Sequence, residues 1–410
     1  MSYSTGLIDR TEWRQWVIPK KLLEKPIHRW YVFPHSFSSE LVHTLAEEWS
    51  LGPDDHILDP FVGAGTSILA AKELGIPATG YDLSPFAVFV TAAKIANYSV
   101  ERLTQVWSRI LKHMSPSLWN EPARDYPELV RKALPGKLLG AFDAIDRCIA
   151  KASGSKAERD FFRLALLSIL PNYSRAVATG GWLKWVPKRN DASTVLSALE
   201  ERVRLMLEDL RTTRLPWGTL WRVGLADARS LQDAGSSYSA VITSPPYPNR
   251  HDYTRVFGVE LMFAFLDWEE TRQLRYQSFH SHPEARPKRP QVNGYEQPIA
   301  LTRAIERIRK TLKDQRIPRM LEGYFLDMYL ALREMRRVCE RGAKIALVLG
   351  NVQYGGEQIA VDEITAEIGE QTGLTCERLF VARYRGNSAQ QMGKFGRRPS
   401  RESVIVFSKT

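Results

Sequence analysis

The strongest constraint on the fold of this chain is a buried strand that ends in two consecutive prolines. Val241, Ile242 and Thr243 favour β structure and predict the last residues of such a strand. Pro245 and Pro246 follow, and neither can donate a hydrogen bond to a sheet. The chain must therefore leave the sheet here, so the neighbouring side chains project from the carboxyl end of a strand. In open α/β sheets, ligands bind at that edge.

The residues around the two prolines are suited to holding an amino group. Ser244 offers a hydroxyl and Pro245 a carbonyl, which are two fixed acceptors for the hydrogens of an exocyclic amine. Because the lone pair of a nucleobase amine is delocalised into the ring, two such acceptors help the nitrogen to become nucleophilic. Tyr247 adds a flat ring on which a base can stack. A proline-rich loop with a tyrosine at its rim is the alternative that these four residues leave open.

A second strand-and-turn pattern lies earlier in the chain. Residues 57–66 predict a strand, a tight turn at Gly63 and Gly65, and a helix amino terminus with free N–H groups. Residues 78–82 predict another strand that ends in Asp82, about twenty residues later, where an acid can bind ribose hydroxyls. The glycines lack the G-x-G-x-x-G spacing, which argues against a nicotinamide cofactor. An ordinary βαβ turn with a surface acid is the alternative.

The rest of the chain is divided by composition and periodicity. Residues 1–27 are expected to form an arm packed on the body, and residues 86–220 to be mostly helical. An apolar helix is predicted over 256–268. Residues 271–319 are rich in Arg, Lys, His and Pro and form either a nucleic-acid-facing segment or a solvated excursion. Further elements are predicted as a helix at 38–49, a strand at 221–229, a helix at 323–339, and strands at 344–349 and 403–407.

The net charge of the 410 residues is +11, which favours an acidic partner such as nucleic acid. Residues 179–190 interleave aromatic and basic side chains on a glycine-hinged loop, which indicates either a nucleic-acid contact or a tryptophan-anchored surface loop. Residues 383–401 contain several bases and no acid. On the basis of charge, the residues predicted to contact DNA are Lys184, Lys188, Arg189, Arg250, Arg255, Arg286, Lys288, Arg289, Arg397 and Arg398.

Cys148, Cys339 and Cys376 are far apart and have no metal-ligand spacing. They indicate buried thiols in a reducing cytosol, and no metal site is expected. We expect neither a signal peptide nor a membrane span, and therefore a cytoplasmic protein associated with the nucleoid.

Residues 59–66 (Asp-Pro-Phe-Val-Gly-Ala-Gly-Thr) and 244–247 (Ser-Pro-Pro-Tyr) together resemble the motif pair of bacterial DNA amino methyltransferases. That family transfers a methyl group from S-adenosylmethionine to N4 of cytosine or N6 of adenine. The resemblance implies an α/β fold with a seven-stranded, mostly parallel Rossmann-like sheet, here with a helical insertion and basic inserts. Here the cofactor motif precedes the catalytic motif, which is a circular permutation of the order in many Ser-Pro-Pro-Tyr members. The matching segments are 28–95, 221–265 and 323–410.

The resemblance also implies roles for individual residues. Asp82 resembles the acid that binds the ribose of the cofactor. Asp227 resembles the acid that contacts the amino group of the cofactor's adenine. The catalytic residues it implies are Ser244, Pro245, Pro246 and Tyr247. The cofactor-binding residues it implies are Phe33, Pro34, His35, Ser36, Phe37, Asp59, Pro60, Phe61, Gly63, Gly65, Thr66, Asp82, Leu83, Asp227 and Ala228.

The function expected from this resemblance is site-specific transfer of a methyl group to N4 of a cytosine flipped out of double-stranded DNA. A serine at the first motif position more often accompanies cytosine in that family, whereas Asp or Asn more often accompanies adenine. N6-adenine methylation, an RNA amino methyltransferase and a non-catalytic DNA-binding subunit are the alternatives. A cytosine-C5 enzyme is disfavoured because it needs a nucleophilic cysteine, usually after proline, and Arg147, Val338 and Thr375 precede the cysteines here. A cognate restriction endonuclease would act separately.

The domain organisation expected from these patterns has five regions. They are a cofactor-binding region at residues 1–100, a helical insertion and candidate target-recognition region at residues 101–220, a catalytic-motif region at residues 221–268, a basic and candidate DNA-contacting insert at residues 269–322, and the remainder of the catalytic domain at residues 323–410.

Overall fold

The structure, a computed structural model, describes residues 6–114, 119, 122–187, 191–231, 237–288, 292–386, 396 and 399–410. An eight-stranded sheet and two small two-stranded sheets lie within them. The strands are β1 Leu7–Asp9, β2 Ile57–Asp59, β3 Ala78–Asp82, β4 Ala176–Thr179, β5 Trp182–Trp185, β6 Trp221–Leu225, β7 Tyr238–Thr243, β8 Cys339–Gly350, β9 Val352–Tyr354, β10 Glu357–Ile359, β11 Thr375–Arg385 and β12 Ser400–Ser408.

The large sheet has the strand order β1-β11-β12-β8-β7-β2-β3-β6. β12 runs antiparallel to both of its neighbours, and the other neighbouring pairs are parallel. The predicted α/β class with a mostly parallel Rossmann-like sheet is therefore confirmed. The strand count differs by one, because β1 pairs with β11 at the sheet edge. This strand has three residues and all are exposed, so the sequence carried no alternating apolar signal for it.

The α-helices cover both faces of the sheet. They are α1 Ser39–Glu48, α2 Thr66–Leu74, α3 Pro85–Ile95, α4 Val100–His113, α5 Glu128–Ala133, α6 Lys137–Ala152, α7 Lys156–Tyr173, α8 Val195–Thr212, α9 Tyr253–Val256, α10 Gly258–Ala264, α11 Trp268–Gln277, α12 Ile299–Thr311, α13 Arg316–Val338 and α14 Val361–Gln371. Among the described residues, no helix is both long and apolar enough to cross a membrane.

Two apolar layers lie on opposite faces of the sheet. Successive residues of β8 separate them, since Ala346 and Val348 pack into one layer and Leu347 and Leu349 into the other. Helices α1 to α10 contribute to the first layer, and α12 to α14 to the second. The predicted helical insertion therefore shares its core with the segment that carries the glycine turn. The proposed domain boundaries themselves stay predictions.

Two local predictions need correction. The single helix predicted over 256–268 is broken, because Phe257 leaves helical geometry between α9 and α10, and Asp267 caps a new helix, α11, through a capping box with Glu270. The loop predicted within 179–190 is a β-hairpin up to Trp185, made by β4 and β5. Its two-residue turn has Gly180 at φ +59°, which glycine adopts without strain.

Candidate active site

Two strand ends meet at the centre of the sheet. β2 ends at Asp59 and β7 ends at Thr243, and these two strands are parallel neighbours. In the sheet, β3 and then β6 lie on one side of β2, whereas β7 and then β8 lie on the other side. The crevice between β2 and β7 is thus the point where strand order reverses, which is where open α/β sheets bind ligands.

A pocket opens at this crevice and brings most of the predicted site residues together. The predicted residues that line it are Phe33, His35, Ser36, Phe37, Asp59, Pro60, Phe61, Gly63, Thr66, Asp82, Leu83, Asp227, Ala228, Ser244 and Pro246. The structure does not place Pro34, Gly65, Pro245 or Tyr247 in this lining. Segments as far apart in sequence as Phe33 and Pro246 thus converge on one cavity.

Sequence reasoning missed some residues of the lining. Tyr253, Phe257 and Phe279 also face the pocket. They lie on α9, between α9 and α10, and just after α11, where no motif marks them. Their aromatic character after the Ser-Pro-Pro-Tyr segment was the available signal, but aromatic residues at helical spacing more often belong to a core.

The glycine turn needs its glycines for conformation and space. Gly63 has φ +51° and Gly65 has φ +80°. A Cβ on Gly65 would lie 2.7 Å from the hydroxyl oxygen of Thr91, which is closer than side chains pack. The Gly63 N–H donates to the Asp82 carboxylate at 3.0 Å, which ties the turn to the end of β3. Helix α2 then begins at Thr66 with its amino terminus beside the pocket.

A buried lysine supports this turn from beneath. Lys94, on the apolar helix α3, donates from Nζ to the carbonyls of Tyr31 at 2.6 Å and Ala64 at 2.9 Å. Burial lowers the pKa of this amine to about 7. Lys94 therefore joins the amino-terminal segment to the glycine turn, a role that a lysine within a buried helix could have suggested but that the sequence reasoning missed.

Asp59 holds the strand ends together. Its carboxylate accepts hydrogen bonds from the Ser67 hydroxyl, from the Thr243 hydroxyl at 2.5 Å and from the Phe61 N–H at 3.0 Å. Burial is the main cause that raises its pKa, to about 6. The neighbouring Asp82 accepts N–H groups from Gly63 and Ser84, and burial raises its pKa as well. Both acids therefore organise backbone around the pocket.

The Ser-Pro-Pro-Tyr segment, residues 244–247, emerges beside these acids. The Ser244 hydroxyl donates to the Val348 carbonyl on β8 at 3.2 Å. Because a hydroxyl has one hydrogen and two lone pairs, this bond leaves the Ser244 oxygen able to accept. Tyr247 is only 7% exposed and burial raises its pKa. The Arg385 guanidinium lies 5.9 Å from the centre of the Tyr247 ring.

Next to this segment, Asp252, His282 and Glu284 bring ligand-type atoms within 4.8 Å of one another. Such a cluster could in principle hold a cation. Asp252, however, is already paired with Arg255 at 3.2 Å and Arg275 at 3.0 Å. Two neighbouring guanidiniums oppose a further positive charge. The cluster therefore fits an internal ion-pair network better than a metal centre.

Curated proteins resemble the chain over nearly its whole length. The type II methyltransferase M.AvaI from Nostoc sp. is 30% identical over 94% of this chain and 87% of its own. The chain belongs to the type II methyltransferases. The type II methyltransferase M.BsoBI from Geobacillus stearothermophilus is 28% identical over 93% of this chain and 86% of its own. M.MjaII from Methanocaldococcus jannaschii is 27% identical over 28% of this chain and 22% of its own.

No family model matches the chain. The solved structures are distant. TrmN from Thermus thermophilus is 11% identical with a TM-score of 0.30, over 91% of this chain and 49% of that one. The rRNA methyltransferase aviRa from Streptomyces viridochromogenes is 12% identical with a TM-score of 0.28, over 94% and 92%. Likenesses this weak carry no argument about activity.

This type II methyltransferase is thus a DNA methyltransferase that uses S-adenosylmethionine. The pocket fits that cofactor. Gly63 and Gly65 keep side chains out of the turn that precedes the α2 amino terminus, and Phe33 and Phe61 supply apolar walls. Asp82 offers a carboxylate at the end of β3. The expected membership of a DNA methyltransferase family is therefore confirmed, whereas the methylated base and atom stay predictions.

The candidate DNA contacts differ in how they are placed. Lys184, Arg250, Arg286 and Lys288 are exposed. Arg255 is instead engaged with Asp252 and Glu284. Their contact with DNA stays a prediction. The other nominated residues lie outside the described residues and are Lys188, Arg189, Arg289, Arg397 and Arg398.

Proposed function

We propose that this type II methyltransferase methylates N4 of a cytosine flipped out of duplex DNA. One observation carries the proposal: Ser244 lines the pocket, and its hydroxyl hydrogen is directed to the Val348 carbonyl. A neutral acceptor thus faces the space where an amino group would enter. In the family that the motif resembles, serine at this position more often accompanies cytosine.

The transfer follows from the positions of these groups. Ser244 and the Pro245 carbonyl would accept the two amino hydrogens of the flipped base, which must leave the stack to reach them. The cofactor supplies an electrophilic methyl group. The amino nitrogen, oriented by Ser244 and the Pro245 carbonyl, would receive that methyl group from the sulfur and would release one of its protons to solvent. Positioning contributes more to this reaction than a strong base does.

The state of the cysteines supports an amino target. Cys148, Cys339 and Cys376 are all buried and free. Burial raises the pKa of Cys339 and of Cys376 to about 12, so neither is a ready thiolate. None of the described residues that line the pocket is a cysteine. A covalent route to cytosine C5 therefore lacks its nucleophile here, and we expect no covalent enzyme intermediate.

Other roles in this pocket belong to the same proposal. Asp82 would bind the ribose hydroxyls, and the segment from Phe33 to Phe37 would cover the cofactor. Asp227 would contact the amino group of the cofactor's adenine, although its carboxylate already accepts hydrogen bonds from the Arg229 guanidinium at 2.9 Å and 2.7 Å. Tyr247, which is buried and is not part of the pocket lining, is kept as the proposed stacking residue for the target base. We further propose the helical segment 101–220 and the insert 269–322 as the regions that contact the target duplex.

The deciding experiment identifies the product. DNA is treated with the protein and S-adenosylmethionine, digested to nucleosides and analysed by mass spectrometry. We expect N4-methylcytosine. N6-methyladenine would overturn the choice of base while leaving the mechanism in place, and 5-methylcytosine would overturn both. A separate cognate endonuclease and a cytosolic location remain predictions.

A further inference from the structure

The β4–β5 hairpin is anchored to the chain that follows the catalytic segment. At its tip, a Cβ on Gly181 would lie 2.7 Å from the Arg250 carbonyl oxygen and 2.9 Å from the Cα of His251. Only glycine permits so close an approach. Arg250 itself has φ +69°, an uncommon conformation for a non-glycine residue. The hairpin tip is thus fixed three residues beyond Tyr247.

A single helical turn connects the hairpin with the pocket. Asp252 caps α9 by accepting the Arg255 N–H at 3.1 Å. Tyr253, the first residue of α9, lines the pocket. Arg255, two residues later, places its guanidinium 4.5 Å from the ring centre of Trp182 on β5. Trp182 therefore lies one short helix away from the pocket.

The hairpin presents an aromatic and basic surface. Trp182 and Trp185 are each 49% exposed, unlike most tryptophans of a folded chain. Alternation along β5 puts Trp182 and Lys184 on one face, whereas Leu183 packs against the apolar layer. Arg250 is exposed beside the tip. A half-exposed indole flanked by cations is suited to nucleic acid, because stacked bases meet its ring and phosphates meet the charges.

We propose that this hairpin enters the duplex beside the target and that Trp182 stacks on the bases left behind by the flipped nucleotide. When a base is extruded, the neighbouring bases that stay in the duplex lose a stacking partner. A side chain inserted into the gap restores some of that contact. Arg255 holds the indole and is a positioning residue. The inference rests on the proposed function insofar as that function requires a flipped base, but it holds for cytosine and adenine alike.

The test uses the full chain and compares two tryptophans of one strand. Single-turnover methylation is measured with saturating S-adenosylmethionine on a duplex that carries the recognition sequence, which is first found by mapping methylated positions in plasmid DNA. Trp182→Ala should slow transfer by about 10- to 100-fold, the range expected for loss of one stacking contact. Trp185→Ala is the matched control and should stay close to wild type, since alternation along β5 puts Trp185 on the face opposite Trp182 and it pairs with Ala176 at the end of the hairpin away from the turn.

A mismatched duplex separates base extrusion from damage to the fold. A mismatch opposite the target base makes extrusion easier, so it should restore most of the rate of Trp182→Ala. Trp182→Leu keeps an apolar side chain beneath Arg255 without an aromatic face and should behave like the alanine variant, whereas Trp182→Tyr should be nearly as fast as wild type. Equal slowing on paired and mismatched DNA, or a wild-type rate in Trp182→Leu, would overturn the inference. Absence of any amino methylation by the wild-type protein would instead overturn the proposed function.

Discussion

At the scale of single residues, the site depends on which hydrogen-bonding groups are already engaged. Asp59 lines the pocket but accepts three internal hydrogen bonds, which hold the ends of β2 and β7 together. Ser244 donates its hydroxyl hydrogen to the Val348 carbonyl at 3.2 Å. Because a hydroxyl oxygen has two lone pairs, the Ser244 oxygen remains able to accept, which supports the proposal that it binds the amino group.

Removal of that oxygen should affect transfer more than cofactor binding. Ser244→Ala deletes one of two proposed acceptors and leaves the Pro245 carbonyl, so the single-turnover rate should fall by about 10²–10³-fold. The affinity for S-adenosylmethionine should barely change in calorimetry. Ser239→Ala is the control on the same strand, because Ser239 accepts the His56 N–H at 3.0 Å outside the pocket. A full rate in Ser244→Ala would show that this motif is not the catalytic centre.

A buried glutamate should make stability depend on pH. Glu260 on α10 accepts the Tyr31 hydroxyl at 2.9 Å, and burial raises its pKa from 4.5 to about 7. The folded chain therefore prefers the protonated acid, and this stabilisation is complete below pH 4.5 and lost as the pH rises through about 7. Glu260→Gln stays neutral, so it should match wild type at pH 5 and exceed it at pH 8, by about 2–3 kcal/mol.

Thermal unfolding at the two pH values measures this difference. Glu47→Gln, at an exposed position on α1, is the control and should track wild type at both. If Glu260→Gln and wild type lose the same thermal stability between pH 5 and pH 8, then Glu260 is not the buried acid responsible.

At the scale of elements, a glycine lies at each end of helix α2, and the two glycines are required for different reasons. Gly65 precedes the helix with φ +80°, and Gly75 follows it with φ +73°. Both adopt the left-handed conformation that glycine reaches without strain. Only at Gly65 does the protein also lack room for a side chain, because Thr91 is packed against it, whereas nothing lies within 4 Å of a Cβ at Gly75.

The two ends of α2 therefore provide a matched pair of variants. Gly75→Ala should lower the free energy of unfolding by about 1–2 kcal/mol through backbone strain and leave cofactor affinity unchanged. Gly65→Ala has similar strain and must also displace Thr91. It should be less stable than Gly75→Ala and bind S-adenosylmethionine about tenfold more weakly or worse. Equal cofactor affinity in both variants, measured by calorimetry, would contradict a role of this turn in the pocket.

At the scale of the whole molecule, the positive charge is partly neutralised inside the fold. Residues 383–401 contain no acid in sequence, yet Arg383 pairs with Glu402 and Arg401 pairs with Asp362. The described arginines of this segment are thus held by acids from elsewhere in the chain. The exposed cations near the hairpin and the 286–288 region are better placed for phosphate contacts, and they include Lys184, Arg250, Arg286 and Lys288.

DNA affinity should respond to salt accordingly. Each phosphate contact should contribute about 0.9 log unit of affinity per log unit of salt. Combining Lys184→Glu with Arg250→Glu should weaken binding and make this dependence shallower. Arg222→Glu, an exposed change near the start of β6, should do neither. A dissociation constant that does not vary with salt would rule out an electrostatic contact of this kind.

Neighbouring residues were sufficient to predict the two motifs, whereas the mostly parallel fold class followed from the family resemblance. Two prolines after 241–243 end a strand, and Gly63 and Gly65 allow a tight turn, because these effects act through local backbone geometry. Resemblance then connected the two motifs to one chemistry, and the converging lining of the pocket agrees with it.

Other features came only from the tertiary structure, because they depend on residues that are distant in sequence. The buried Lys94 joins Tyr31 to Ala64, and no local pattern specifies which carbonyls it meets. Arg383 belongs to a segment that is basic in sequence, but its charge is neutralised by pairing with Glu402. The hairpin tip approaches Arg250 and His251 through Gly181, some seventy residues earlier in the chain. Local sequence determines backbone conformation, whereas burial, charge pairing and the approach of separate segments are decided by packing of the whole chain.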